Sequence, residues 1–251
     1  MIKKLRKELN KKENEAILEN NSNLLLSVNS EQENNKSLAL YKNFINNFKL
    51  HNNSIIDKYF FGVKSKIITC QKCNKIDYSF DSFYRLKFTL SEIEKKMEPN
   101  VQITLEKCFE YDYSKNTSIN NGQKPCNNCN DMTNHSYYDQ IYLSPKIFII
   151  TLEDGIKKGK NFNLSFELNI NEYLIEKNEG SELIGIIAYL KDIGMNGQYM
   201  SYCKNKEDNI WHCCFDDCVY KVDNLENDIK NKNRLPYILF YSDIKINNFN
   251  E

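Results

Sequence analysis

An α+β fold with a mainly antiparallel sheet is what this sequence predicts, and three features say so. Apolar residues take helical spacing near the start, at Leu40, Tyr41, Phe44, Ile45 and Phe48. Beyond Val63 they alternate, or gather in short β-branched and aromatic runs. Two Cys-x-x-Cys pairs, Cys70/Cys73 and Cys126/Cys129, lie inside that β-rich stretch. Helices first and strands later differ from the strict alternation that builds a parallel sheet.

Residues 1–37 are expected to be a polar N-terminal extension. Ile2, Leu5 and Leu9 fall near helical spacing, which suggests a short surface helix, and residues 20–37 read as a loosely ordered connection. The first amphipathic helix is predicted over Leu38–Phe48. Asn52-Asn53-Ser54 breaks it, and Ser54 is placed to cap a second short helix through Ile55, Ile56, Tyr59 and Phe60. Gly62 is expected to end that helix as a C-cap glycine.

Strands are predicted at Ser65–Thr69, Asp77–Phe80 and Tyr84–Leu90, and a helix at Ile103–Phe109. Residues 112–125 read as loop. Further strands are predicted at Tyr137–Tyr142, Lys146–Leu152, Leu164–Leu168, Leu183–Leu190, Tyr199–Tyr202, Trp211–Phe215 and Tyr237–Tyr241. The run Ile147-Phe-Ile-Ile150 is apolar on both strand faces, so that strand is expected to be buried. No internal repeat is found.

The 251 residues carry 34 Lys plus Arg and 34 Asp plus Glu, a formal net charge of zero. A general nucleic-acid binder needs a basic surface to displace counterions, so that class is disfavoured. No apolar run reaches the length of a membrane helix, and the basic N-terminus lacks the apolar core of a secretory signal. These features give the expectation of a cytoplasmic or nuclear protein with reduced thiols. The 37 Asn residues are read as a compositional bias.

The nine cysteines are therefore read as metal ligands or core thiols. In a Cys-x-x-Cys knuckle a tight turn aims two sulfurs at one ion, and two knuckles complete a tetrahedral site. Cys70, Cys73, Cys126 and Cys129 are predicted to hold one structural zinc, with 52 residues between the pairs. Each pair is followed by an Asn, as a turn favours. A redox dithiol is the weaker reading, because neither pair sits in a βαβ setting. His135 is read as a surface residue rather than a fifth ligand, and Cys108 as a core thiol.

The C-terminal third carries a more specific pattern. Leu183-Ile-Gly-Ile-Ile-Ala-Tyr-Leu190 leads to Gly197-Gln198-Tyr199, then to Trp211-His-Cys-Cys-Phe215-Asp216-Asp217, then to Tyr237-Ile-Leu-Phe-Tyr241. This series resembles the ubiquitin-specific proteases, the papain-like cysteine deubiquitinases. Ser54-Ile-Ile-Asp-Lys-Tyr-Phe-Phe-Gly62, Phe83-Tyr-Arg-Leu86 and Leu143-Ser-Pro-Lys-Ile-Phe-Ile-Ile-Thr-Leu152 are similar to earlier segments of that family. The resemblance covers about residues 38–245. It implies a deubiquitinase-like domain over residues 38–251, with zinc-ribbon fingers at about 64–140 and a palm at about 141–245. It also implies that most of the helical thumb is absent, leaving an apolar palm face for a protein partner. The implied ligand is ubiquitin or a ubiquitinated protein, with Gly197, Tyr199 and Trp211 on the substrate-binding side.

The departures bear on catalysis. The family's nucleophile stands in a Gly-Asn-Thr-Cys-type box, which these 251 residues lack. Gln198 occupies the position of the general-base His, and an amide cannot take a thiol proton. Tyr189 stands where the family often carries a second His. Only Asp216 survives of the triad, at the position that orients the His. The neighbouring His212, Cys213, Cys214 and Asp216 are read as consecutive strand residues with 212, 214 and 216 on one face, and not as a relocated triad. The expectation is a catalytically inactive, ubiquitin-binding or scaffolding domain. The alternatives are part of an active thiol-dependent deubiquitinase whose Cys box lies outside this chain, and a zinc-ribbon interaction module.

Overall fold

The computed structural model describes residues 30–98, 101–113, 118–119, 123–154, 162–190 and 197–244. The chain divides into two compact units. One comprises Met1–Phe83, Asp112–Pro145 and Tyr173–Glu176; the other comprises Tyr84–Tyr111, Lys146–Glu172 and Lys177–Glu251.

The first unit opens with helix α1 (Ser30–His51). The helix starts eight residues before the predicted Leu38, so Ser30–Ser37 are helical rather than a loose connection. A polar first half of a helix gives no apolar periodicity to read. Tyr41 and Phe44 pack their rings against Phe80, and Tyr41 also meets Tyr142. Helix α2 (Ile55–Phe60) starts on the capping box expected of Ser54. The Ser54 hydroxyl accepts from the Asp57 N–H at 3.2 Å, and the Asp57 carboxylate accepts from the Ser54 N–H at 3.1 Å.

Gly62 does not cap α2. The cap is Phe61 in an extended conformation, and Gly62 is the first residue of strand β1 (Gly62–Cys70). Its partner in strand β2 (Ile76–Phe83) is Phe83, whose ring covers it. A Cβ on residue 62 would come within 2.7 Å of the Phe83 ring. Glycine is therefore required by close approach rather than by a left-handed turn.

A four-stranded sheet in the order β2-β1-β7-β4 carries this unit, with β4 at Ser118–Ile119 and β7 at His135–Leu143. A separate two-stranded ribbon pairs β5 (Lys124–Cys126) with β6 (Asp131–Thr133). The stretch predicted as loop at 112–125 thus holds β4 and the start of β5. These strands are two and three residues long, too short for a period to show.

The second unit is built on an eight-stranded sheet. Its central path runs β13-β12-β11-β10-β14-β8-β3, with β9 (Glu167–Leu168) paired to β10. The strands are β3 (Leu86–Thr89), β8 (Ile147–Glu153), β10 (Ser181–Leu190), β11 (Gln198–Lys204), β12 (Trp211–Phe215), β13 (Cys218–Val222) and β14 (Arg234–Asp243). All pairs are antiparallel except β3 with β8. Strand β8 is buried on both faces, as its apolar run predicts. Each fully buried Ile, Leu or Phe there contributes about 1.5–3 kcal/mol.

Three helices belong wholly or mainly to this unit. Leu90 starts helix α3 (Leu90–Lys96) instead of ending a strand, with Leu90 and Ile93 buried. Helix α4 (Leu105–Tyr113) places Cys108 in the core with no exposure, and Phe109 makes an edge contact with Phe88. Helix α5 (Leu225–Asn231) is capped by the Asn224 side chain, which accepts from the Asn227 N–H at 2.9 Å. The predicted strand at Leu164–Leu168 reduces to β9, preceded by a single bridge between Phe162 and Ile103. No described helix is long and apolar enough to cross a membrane.

Candidate functional site

Two hairpin tips in the first unit bring four sulfurs together. Strand β1 ends at Cys70, and the chain turns back through Cys73 into β2. The turn is closed by the Asn74 N–H donating to the Cys70 carbonyl at 2.9 Å and the Cys70 N–H donating to the Lys75 carbonyl at 3.0 Å. The β5–β6 ribbon presents Cys126 and Cys129 in the same way. Asn74 and Asn130 follow the two knuckles with φ of 55° and 49°. Asn tolerates that left-handed backbone better than most residues, which explains its place after each pair.

The four Sγ atoms all lie within 4.8 Å of one another. Cys70 and Cys129 stand 4.0 Å apart, and Cys73 and Cys126 stand 3.7 Å apart. Four thiolates at the usual Zn–S length of about 2.3 Å, arranged tetrahedrally, give sulfur separations of about 3.8 Å. The donor set and spacing therefore fit one structural zinc. Cys70 and Cys126 are buried, and Cys73 and Cys129 are half-buried. Bound zinc would supply a closed cross-link between the two hairpin tips and no open position for chemistry.

The electrostatics prepare two of the four thiols. Burial pushes the Cys70 thiol up. Hydrogen bonds from the Thr133 hydroxyl and the N–H groups of Cys73 and Lys72 outweigh it and bring Cys70 to about 6. The N–H groups of Cys129 and Asn128 hold the Cys126 thiol below its ordinary range. Burial and the adjoining thiols push Cys129 up to about 12. Four neighbouring thiols do not all ionise without a cation among them, and metal binding displaces the remaining protons. Lys72 and Asp131 pair at 2.6 Å across the two tips. That pair is open to water and worth little. His135 is half-buried beside the cluster, with Nδ1 at 3.1 Å from the Thr133 carbonyl, and is not one of the ligands.

The positions implied for catalysis lie in the second unit. Gln198 is the first residue of β11 and is paired with Leu190, the last residue of β10. Strands β11 and β12 pair from Lys204↔Trp211 to Ser201↔Cys214. Asp216 follows, in the turn between β12 and β13, with φ of 48°. It has left the strand, so it does not share a strand face with His212 and Cys214 as the sequence suggested. The register puts the Asp216 turn and Gln198 toward the same end of the sheet. Among the described residues no hydrogen bond joins their side chains. Trp211 begins β12 and lies toward its other end, four residues from Phe215 and about 13 Å along the strand.

Gly197 and Tyr199 flank Gln198. The Tyr199 ring is 51% exposed and stands edge-on to Tyr189 at 5.2 Å, with Tyr237 at 5.8 Å. The Tyr189 ring also covers Gly197, so a Cβ there would come within 2.6 Å of it. Three tyrosines and a glycine thus make an open aromatic patch beside Gln198. It offers no proton acceptor of the imidazole kind.

One further cluster escaped the sequence reading. Arg234, at the start of β14, is bound from Nη1 to Asp228 at 2.5 Å, to the Tyr202 hydroxyl and to the Cys213 sulfur at 3.4 Å. Its Nη2 donates to the Tyr220 hydroxyl at 2.6 Å. Lys232 pairs with the other Asp228 oxygen at 2.5 Å. Cys213 is therefore fully buried and held by a guanidinium, not presented as a nucleophile. The available signal was scarcity: Arg234 is one of three arginines in the chain, the others being Arg6 and Arg85.

The comparisons with known proteins accord with this architecture. A family model described as ubiquitin carboxyl-terminal hydrolase matches residues 1–241. Comparison with curated proteins gives no match. Among solved structures, the chain is similar to the yeast SAGA DUB module with a mutant Sgf73, at a TM-score of 0.58 and 19% identity. It is also similar to the SAGA Ubp8/Sgf11/Sus1/Sgf73 DUB module, at a TM-score of 0.60 and 21% identity. In both cases 76% of this chain is covered and 42% of the other, so the match covers less than half the length of those neighbours.

Proposed function

The chain belongs to the ubiquitin carboxyl-terminal hydrolase family, and from that premise we propose that it binds ubiquitin without hydrolysing it. The observation that carries the reading is Gln198. By the motif resemblance it takes the family's general-base position; it lies toward the same end of the sheet as the Asp216 turn, and among the described residues no hydrogen bond joins the two side chains. A carboxamide is neutral and its nitrogen is not basic, so it cannot draw a proton from a thiol at neutral pH. Asp216 then has no imidazole to orient.

The cysteines support the same reading. Four form the metal cluster, and Cys108 and Cys213 are buried. Cys203, Cys214 and Cys218 lie on adjoining sheet strands, outside any Gly-Asn-Thr-Cys box. The domain is left with a zinc-braced ribbon and an open sheet end lined by Tyr189, Tyr199 and Tyr237. These are surfaces for holding a protein rather than cutting one. One similar DUB module contains Sgf11, Sus1 and Sgf73 beside Ubp8, and the other contains Sgf73, which supports a protein partner for this domain as well.

The test is a calorimetric titration of zinc-loaded protein with ubiquitin, run beside an assay of ubiquitin–fluorophore cleavage. A saturable one-to-one heat without cleavage is expected. Cleavage by this chain alone would sink the inactive reading. Cleavage that appears only when a Cys-box polypeptide is added would favour the split-enzyme alternative. No heat at high micromolar ubiquitin would leave only the scaffold role.

A further inference from the structure

We infer that Thr133 is a positioning residue for the metal centre, its hydroxyl donating to the Cys70 sulfur and raising the hold on zinc. The inference rests on the zinc reading of the four cysteines. Thr133 is the last residue of β6, pairs with Lys124 of β5, and is buried at 6% exposure. Its Oγ1 stands 3.2 Å from the Cys70 Sγ, a contact between residues 63 apart in sequence. The contact crosses from the second hairpin to the first, so it forms only when the two tips meet.

A zinc ion with four thiolates carries a net charge of −2, and here two of the sulfurs are buried. That charge must be offset by donors aimed at the sulfurs, because water is excluded from them. Backbone N–H groups inside each knuckle serve this purpose, those of Lys72 and Cys73 toward Cys70 and those of Asn128 and Cys129 toward Cys126. Among the described contacts to these sulfurs, Thr133 supplies the one side-chain hydroxyl. Cys70 is also the sulfur at the end of β1, where it pairs with His135 of β7 and donates its N–H to the Lys75 carbonyl at 3.0 Å. A hydrogen bond there acts on the most deeply buried of the four ligands and ties it to the opposite hairpin.

The test is zinc affinity, measured by competition with a chromophoric chelator on the full chain. Thr133→Val keeps the branched shape and removes the donor; Thr133→Ser keeps the donor. The expected result is a Kd raised about tenfold or more for T133V, with T133S close to wild type. Cobalt substitution gives a second readout: the thiolate-to-cobalt charge-transfer band should move to lower energy in T133V and stay in T133S. Equal affinities and bands for wild type and T133V overturn the inference alone. A wild-type chain that takes up no zinc overturns the metal centre and the inference together.

Discussion

Asn74 and Asn130 hold the same left-handed backbone, φ 55° and 49°, each immediately after the second cysteine of a knuckle. Two loops 56 positions apart have converged on one turn because each must aim two sulfurs inward and then leave along a strand. A left-handed residue with a Cβ costs roughly 1–2 kcal/mol, less for Asn. Asn74→Gly and Asn130→Gly should be neutral or slightly stabilising. Asn74→Val should lower stability by on the order of 1 kcal/mol, read as a shift in the denaturant midpoint. A neutral Asn74→Val would show that the turn relaxes and that φ does not constrain the knuckle.

Stripping the metal should loosen the hairpin tips before the sheets. The β5–β6 ribbon has only three paired positions, and a lone short hairpin is marginal in water. A tight chelator is expected to lower Tm and raise amide exchange at Lys124–Thr133 first. The double substitution Cys70→Ser, Cys126→Ser should reproduce this. Unchanged Tm and unchanged zinc content in that variant would remove the four-cysteine site from the account.

An imidazole at position 198 alone should not produce hydrolysis. Gln198→His places one at the start of β11, toward the same sheet end as the Asp216 turn, yet no nucleophile box stands in these 251 residues. The expected outcome is no rise in cleavage of a ubiquitin–fluorophore substrate. Ubiquitin binding, if it uses the Tyr189/Tyr199/Tyr237 patch, should weaken severalfold on Tyr199→Ala, since that ring is half exposed and available to a ligand. Cleavage by Q198H would mean that one of the nine cysteines acts as nucleophile after all.

The covered glycine gives a sharper stability test. Gly62→Ala places a methyl group within 2.7 Å of the Phe83 ring. Overpacking of this kind costs roughly 1–3 kcal/mol. Phe83→Leu should itself destabilise by loss of burial, but the double variant should recover part of the Gly62→Ala loss. Additive losses would mean that the ring moves aside freely.

The strands with strong apolar character, such as Ile147–Glu153 and Ser181–Leu190, were legible because burial selects β-branched and aromatic residues. The four cysteines were legible because metal ligation fixes both residue type and spacing. Helices α3 and α5 were not, since each buries only two side chains across seven residues. Gly62 was misread because close packing and a left-handed turn call for the same residue. The Arg234 cluster was invisible because its members, Tyr202, Cys213, Tyr220, Asp228 and Arg234, come from five separate elements. Strand pairing and the packing of α5 on the sheet bring them together.

That cluster carries the last prediction. Asp228 and Arg234 are nearly buried, with 13% and 10% of their side chains exposed, and they tie α5 to the sheet. Burial pushes the Asp228 carboxyl up, but Lys232, Tyr202 and Arg234 outweigh it and hold it below the ordinary carboxylate range. A depressed carboxylate stabilises the fold fully above its unfolded pKa of about 3.9, and that stability is lost as pH falls through the folded value. Asp228→Asn leaves two cations facing a neutral amide and should cost on the order of 3 kcal/mol at pH 7. The gap between wild type and D228N should begin to narrow below about pH 4, as the unfolded carboxyl takes up its proton, and go on narrowing as pH falls through the lower folded value. Paired urea titrations at several pH values check this. A gap that stays constant from pH 7 to pH 3 would show that the loss comes from packing rather than from the charge on Asp228.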